Sequence, residues 1–429
     1  MMAHPDDPSQ ADGASPAAPR PGPVDDPRAG RVVAIVFVTV FLDLIGFGIV
    51  IPLMPFYVES MGGSGFTVGV LLACFAGTQF FATPILGRLS DRVGRRKVIL
   101  ISLFGNALSM VLFALATKVN FLPLLFASRI LAGATAGNLS ACQAAIADVT
   151  EGASRAKGMG RLGAGIGLGI MVGPFIGAVL SARFGAWAPP LGAAALAFAD
   201  VVAAFFVMPE TRMRSATPDG PKESKVSLLT VARNPALVIV LLLFFFTFLY
   251  MTNLQVALAF MTQRRFFWTQ DEVGYVFFGM GLLMLVVQGG LIGPIAKRFR
   301  ELHVVLAGAV SSAAGLATIA AATTVPILVV GLVGLGLGLG VTQPLLSSIA
   351  AQYAGDDNRG AVLGYAQSSG GLARTLGPLL AGALYSDAHT GWPFISGAVA
   401  ATIVFFLAIA LMRTRAEAAV GAVEQTSIR

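Results

Sequence analysis

Residues 87–97 read Gly87-Arg88-Leu89-Ser90-Asp91-Arg92-Val93-Gly94-Arg95-Arg96-Lys97: five basic residues, one acid and two glycines in eleven positions. On either side the chain turns apolar at once, over 68–87 before it and 98–116 after it. Each run is close to the ~20 residues that a helix rising about 1.5 Å per residue needs to cross a roughly 30 Å hydrocarbon core. The charged stretch is therefore a tight turn between two membrane helices. A basic loop of this kind satisfies the positive-inside rule, but that rule alone requires neither the glycines nor the acid at these spacings.

Working outward, the same criterion predicts spans near 32–51, 121–147, 158–182 and 188–208, then 236–260, 273–295, 303–322, 325–351, 361–385 and 392–412. The sum is twelve helices, six and six. Composition agrees: of 429 residues 56% are apolar and only 12% charged, with a mean hydropathy of +0.79. A soluble domain carries roughly a quarter of its residues as charges. Fifty glycines and twenty-three prolines suit membrane helices, where small residues let backbones approach. Residues 1–30 are rich in Ala, Pro and Asp and read as a disordered cytoplasmic tail. A cleaved leader would have a shorter apolar run than 32–51 and would lack Asp43 in its middle. The remaining boundaries are an N-terminal six-helix bundle at 31–208, a polar cytoplasmic linker at 209–235, a C-terminal bundle at 236–412 and a cytoplasmic tail at 413–429.

Charge placement explains the net +7. With a cytoplasmic N-terminus, the tails and even-numbered loops hold 23 of the 29 Lys and Arg residues, the odd loops hold Lys118, Arg183, Arg264 and Arg265, and Arg129 and Arg374 fall inside helices. Both termini are then cytoplasmic, and no excess of charge is left over for nucleic acid. Cys74 and Cys142 lie in apolar runs without metal or redox spacing. No P-loop or dinucleotide fingerprint is present, and Gly62-Gly63-Ser64-Gly65 has no histidine on a span to act as base. The reading is a protein with no cofactor and no catalytic or metal constellation, hence not an enzyme.

An internal repeat relates the halves. Shifting by 204 positions lays Arg155 on Arg359, Gly160 on Gly364, Gly167 on Gly371, Gly173-Pro174 on Gly377-Pro378 and Leu180 on Leu384. Within it Gly165, Gly169, Gly173 and Gly177 recur every four residues, matched by Ser369, Ala373, Gly377 and Ala381. Each row forms one helix face on which another helix can pack closely. Paired repeats about a midplane site are the geometry of alternating access.

The loop at 87–97 resembles the G-x-x-x-D-R-x-G-R-[RK] motif of the major facilitator superfamily, and Gly293-Pro294-Ile295-Ala296-Lys297-Arg298 resembles a degraded second copy with Lys297 in place of Asp91. Asp43 with Gly46, Gly48, Pro52 and Pro55 looks like the first helix of drug/proton antiporters of that superfamily. Arg129 with Gly133 and Gly137 looks like their helix-four motif, and Gly169, Gly173, Pro174 and Gly177 look like their helix-five antiporter motif. The likeness covers 31–412 and is strongest to twelve-helix tetracycline/proton antiporters, through 41–48, Ala147-Asp148, Ser154-Arg155-Ala156, Met208-Pro209-Glu210 and Gly293-Pro294. It departs near Ser109 and Ser312, where tetracycline carriers have membrane carboxylates. The resemblance implies an all-α integral membrane protein of two pseudo-symmetric six-helix bundles. It further implies an inner gate formed by Gly87, Asp91, Arg92, Arg95 and Asp148, in which Asp91 meets the start of helix eleven when the carrier faces outward.

Asp43, Arg129, Asp200 and Arg374 are the charges well inside spans, where each costs several kcal/mol unless paired or hydrated. Asp43, halfway along helix one, is the candidate proton carrier; Arg129 is its candidate counter-ion, either permanent or exchanged during transport. Asp200 is a possible second proton site or a structural acid. Arg374 either meets an anionic substrate group or packs. Cavity candidates are Phe47, Gln79, Asn138, Gln143, Asn253, Gln255, Gln288, Gln343, Tyr365 and Gln367, with Phe277, Phe278, Met280 and Met284 available for amphipathic cargo; amides on membrane helices also serve as glue. The expectation is a proton-coupled antiporter of the plasma membrane that exports small amphipathic molecules, with protons, a small molecule and the bilayer as partners and a monomer as the working unit. An uptake symporter or facilitator, and a non-transporting receptor or scaffold, are the alternatives.

Overall fold

In the computed structural model of the chain, residues 29–150, 152–211, 233–354, 359–386 and 388–427 are described, and among them there is no strand. Of the tail expected at 1–30, residues 1–28 lie outside the described residues, as does most of the 209–235 linker, while Ala29 and Gly30 already belong to the first helix. The first six helices are α1 (Ala29–Ser60), α2 (Gly65–Val93), α3 (Arg95–Val119), α4 (Leu122–Val149), α5 (Gly152–Phe184) and α6 (Ala188–Val207). The second six are α7 (Pro235–Phe266), α8 (Gln270–Ile295), α9 (Glu301–Ala321), α10 (Val325–Ala354), α11 (Arg359–Leu384) and α12 (Trp392–Ser427). Eleven are long and apolar enough to span a bilayer. The twelfth, α11, is 26 residues long but less apolar, because it carries Arg374, Gln367 and a run of Ser and Gly. Beyond the bilayer span, α12 continues as helix to Ser427, through most of the stretch read as a tail.

Local chemistry sets the breaks. Pro52 and Pro55 convert Ile51–Leu53 of α1 to a 3-10 turn. α4 is interrupted at 135–137 beside Gly133 and Gly137, and α8 contains a π-helical turn at Val287–Leu291 around Gly289-Gly290. Ser64 with Thr67, and Thr269 with Glu272, form capping boxes at the starts of α2 and α8. Gly94, at φ +108°, makes the turn between α2 and α3 that a side-chain-bearing residue would strain.

Within each half the repeat is visible as packing. A Cβ on Gly173 would lie 2.6 Å from the Ile45 carbonyl oxygen and 2.7 Å from the Gly48 Cα, so α5 lies directly on the α1 backbone. Gly377 of α11 sits in the same way against Thr252 and Leu249 of α7. The halves meet through α5 with α8 and through α2 with α11.

These meetings run from the middle of the helices, where Gly281 abuts Met171 and Gly371 abuts Phe80, to the end away from the chain termini. There Gly69 abuts Pro378, Gly65 abuts both Gly382 and the Tyr385 ring, the Ser181 hydroxyl bonds Gln270 at 2.8 Å, and Arg264 pairs with Glu59 at 3.1 Å. A buried apolar cluster at that end draws Tyr57, Leu71 and Phe113 from the first half and Val256, Phe260 and Ala381 from the second. Towards the termini the same helices face open space: Gly87 of α2, Gly160, Gly163 and Gly167 of α5, Gly289, Gly290 and Gly293 in and beyond the π turn of α8, and Gly364 of α11 have nothing where a Cβ would be. The molecule is closed at the far face and open at the face that carries its termini.

Candidate functional site

Asp43 lies in the middle of α1, where the apolar run leaves one acid among Phe41, Leu42, Leu44 and Ile45. The glycine face of α5 holds the α1 backbone in place on one side. On the other side two amides reach the carboxylate: Asn106 Nδ2 of α3 donates at 2.7 Å and Asn138 Nδ2 of α4 at 3.2 Å. Cys142 extends the chain, its thiol donating to Asn138 Oδ1 at 3.2 Å. The carboxylate opens into a cavity of about 130 Å³ lined also by Phe47, Gln79, Ser102 and Asn106.

Phe47 is a wall shared with a second cavity, of about 100 Å³, between the halves. Ile51, Pro174, Met251, Gln255, Phe277, Met280 and Met284 are among its lining residues, whereas Phe278, also expected there, packs on the Phe175 ring at 5.0 Å instead. Gln343 touches this space indirectly, its Nε2 lying 3.2 Å from Met251 Sδ. The acid and the apolar chamber are thus neighbours separated by one ring.

Arg129 is placed otherwise than the counter-ion expectation required. It is only 2% exposed, with its guanidinium over the Phe113 ring at 4.8 Å, Nη2 at 3.7 Å from Met110 Sδ and Nε at 3.4 Å from Ser128 Oγ. It has no acid partner among the described residues and does not bond Asp43. The reason is geometric: Arg129 precedes the break in α4, whereas Asn138, which follows it, faces α1.

Asp200, on α6, is 1% exposed and interacts electrostatically with Asp43. Neither of its oxygens has a partner in hydrogen-bond geometry among the described residues, although Thr39 lies beside it. Asn253 is a correction to the cavity reading, since its amide is spent on Ser396 Oγ at 3.0 Å and the Pro393 carbonyl at 3.4 Å of α12. Tyr365 packs in the α7/α11 seam with Leu237 and Val362, while Gln288, in the π turn of α8, and Gln367 are exposed and line neither cavity. Arg374 lies over the Phe248 ring at 5.0 Å. Ser109 and Ser312 are turned to their own halves, bonding the Asn106 carbonyl at 2.7 Å and Tyr250 at 3.4 Å.

At the open face, Arg95 gathers the gate residues. Its guanidinium donates to Asp148 at 2.9 Å, to Ser90 at 2.7 Å and to Asp91, and its backbone N–H donates to Glu210 at 2.9 Å. Asp91 has 60% of its side chain exposed and pairs inside its own half. Asn106 and Glu210 were not singled out as site residues. Asn106 had a signal, standing one helical turn from Ser102 and Ser109 on the same face of α3.

A family model for the Major Facilitator Superfamily matches residues 36–300 and 240–427. The class C tetracycline resistance protein of Escherichia coli is 31% identical over 395 residues, covering 90% of this chain and 98% of that protein. The crystal structure of the human organic anion transporter MFSD10 (TETRAN) is similar with a TM-score of 0.67 at 29% identity, covering 89% of this chain and 100% of that one. A bacterial homologue of the human lysosomal transporter Spinster, solved inward-facing and unoccupied, shares the fold at a TM-score of 0.73 and 13% identity, over 91% and 98% of the two chains. This chain belongs to the major facilitator superfamily of membrane transporters, and its likeness to tetracycline resistance proteins extends over most of its length.

Proposed function

We propose that the chain is a proton-coupled antiporter of the plasma membrane that exports small amphipathic molecules. The observation that carries this reading is Asp43, a membrane carboxyl held by two neutral amides and separated by Phe47 from an apolar chamber between the halves. Because no cation among the described residues is paired with it, taking up a proton strands no opposite charge. Asp43 exchanges its proton with the open side when the chamber empties, and Asp200 serves as a second proton site coupled to it. The face carrying the termini is the cytoplasmic one, in keeping with its basic loops. The chain works as a monomer, driven by the proton gradient without a cofactor. Alternation consists of rocking one half on the other, with Asp91 leaving Arg95 for the start of α11 as the open face closes.

Cargo follows from the lining. Thioether and phenyl groups adapt to varied apolar shapes, and Gln255 and Gln79 supply a few hydrogen bonds. The relatives include tetracycline resistance proteins and an organic anion transporter. An organic anion is a second reading, favoured by Arg374, whose guanidinium meets a ring and no acid among the described residues. The test is proton movement in acidified inside-out vesicles on addition of tetracycline, amphipathic cations and organic anions in turn. Cargo-dependent alkalinisation that disappears in Asp43→Asn at matched expression is the expected result. An equal response in both proteins would remove Asp43 from the mechanism; uptake of cargo into the cell with protons would reverse the proposed direction.

A further inference from the structure

The two halves, built on one repeat, differ at the loop that follows their second helix. In the first half the loop closes on itself, because Arg95 binds Asp91 and Asp148 together. In the second half Lys297 stands where Asp91 would be, and Lys297, Arg298 and Arg300 have no acid partner among the described residues. Glu301, next in sequence, forms no ion pair with them among the described residues: its oxygens accept from Ser348 and Gln352, each at 2.8 Å, so its charge offsets only one of the three. Arg298 instead lies over the Phe299 ring at 5.9 Å.

Directly beside these cations is a groove of about 400 Å³ formed by α8, α9 and α10. Phe299 and His303 stand at its charged end, and Val287, Leu291, Ala307 and Val341 line its length. The π turn at Val287–Leu291 lies along it, and α8 and α9 meet chiefly at the loop joining them. The first half has no π turn in α2. Inside the groove the hydroxyl of Ser311 is spent on the Gly334 carbonyl at 2.7 Å, which leaves a nearly apolar trough with cations at one end only.

We propose that this groove is a binding site for an anionic phospholipid, with one acyl chain in the trough and the phosphate at Arg298, Arg300 and His303. An extended peptide is a poor occupant, because an apolar wall cannot satisfy its backbone N–H and C=O groups, and a helix is too wide for a trough of about 400 Å³. An acyl chain has none to satisfy. Clustered Lys and Arg at a membrane surface select anionic over zwitterionic headgroups, each worth about five-fold in binding. The site is independent of the transport reading, although it bears on α8, one of the helices through which the halves meet.

The experiment uses the purified full-length chain, stripped of lipid and offered phosphatidylglycerol and phosphatidylcholine of identical acyl composition, with retained lipid counted by native mass spectrometry. The expected result is at least about five-fold preference for phosphatidylglycerol, lost in the Arg298→Gln/Arg300→Gln double variant and kept in Lys157→Gln, a distant basic control. Ala307→Trp, which fills the trough from an exposed position, should lose both lipids. A photoactivatable phosphatidylglycerol added to the wild type should label the peptide 287–311. Equal retention of the two lipids, preference surviving the double variant, or labelling confined to other helices would overturn the proposal. Displacement of the lipid by millimolar inorganic phosphate would also overturn it, by showing an anion site that does not use the trough.

Discussion

A carboxylate that accepts from Asn106 and Asn138 and pairs with no cation among the described residues differs in kind from one held in an ion pair. Protonating an ion-paired acid abandons a buried cation, which costs several kcal/mol; protonating Asp43 loses only hydrogen-bond strength. Hydrogen bonds to a charged group are worth about 1.5–3 kcal/mol, so Asn138→Ala or Asn106→Ala should slow pH-driven transport about ten-fold while leaving the protein folded; transport assays in vesicles beside thermal unfolding in detergent check this. Arg129 offers a contrasting test. With no shared partner, Asp43→Asn and Arg129→Gln should have additive effects on unfolding free energy to within about 0.5 kcal/mol, and a coupling well above that would restore the ion pair. The prominence of Asp43 was legible in the sequence, because a lone acid inside an apolar run is conspicuous. The partner was not: Asn106, Asn138 and Asn253 look alike as amides on membrane helices, and only packing reveals that two serve an acid and the third ties α7 to α12.

At the level of elements, the repeat between α5 and α11 was readable, since a shift of 204 residues preserves its glycines and its Gly-Pro pair. What the stripe packs against was not. The structure places it on α1 and α7 inside each half, leaving Pro174 and Ala178 to meet Gly274 of α8 across the interface. Gly173→Ala should therefore cost about 1–3 kcal/mol and much of the transport, because its Cβ would press on backbone atoms that cannot rotate aside. Gly163→Ala, nearly three turns away, meets open space and should be neutral or stabilising by up to about 1 kcal/mol on helix propensity alone. Comparing unfolding midpoints of the two purified variants checks both. The break in α4 and the π turn in α8 were hidden from hydropathy, since they change direction without changing composition.

Across the whole molecule, the far face is joined by the Arg264–Glu59 pair, the seat of the Tyr385 ring on Gly65 and a shared apolar cluster, and the terminal face is parted. The ion pair is part-exposed and worth about 0–1 kcal/mol, so the apolar cluster bears most of the closure. In a background with Cys74 and Cys142 replaced by Ala, Glu59→Cys/Arg264→Cys joined by a short reducible cross-linker should stop transport and recover it on reduction. Full-rate transport by the cross-linked carrier would contradict a far face that must open. Helix number and the two-half plan followed from hydropathy and the repeat, whereas the open side depends on contacts between residues of different halves, far apart in the chain. The central claim is that Asp43 couples the proton gradient to cargo, and reconstituted liposomes test it most directly. With an exported cargo identified, wild type and Asp43→Asn are compared for exchange of labelled cargo without a pH gradient and for accumulation driven by one. The account predicts that Asp43→Asn retains exchange and loses gradient-driven accumulation; accumulation by the variant at the wild-type level would contradict it.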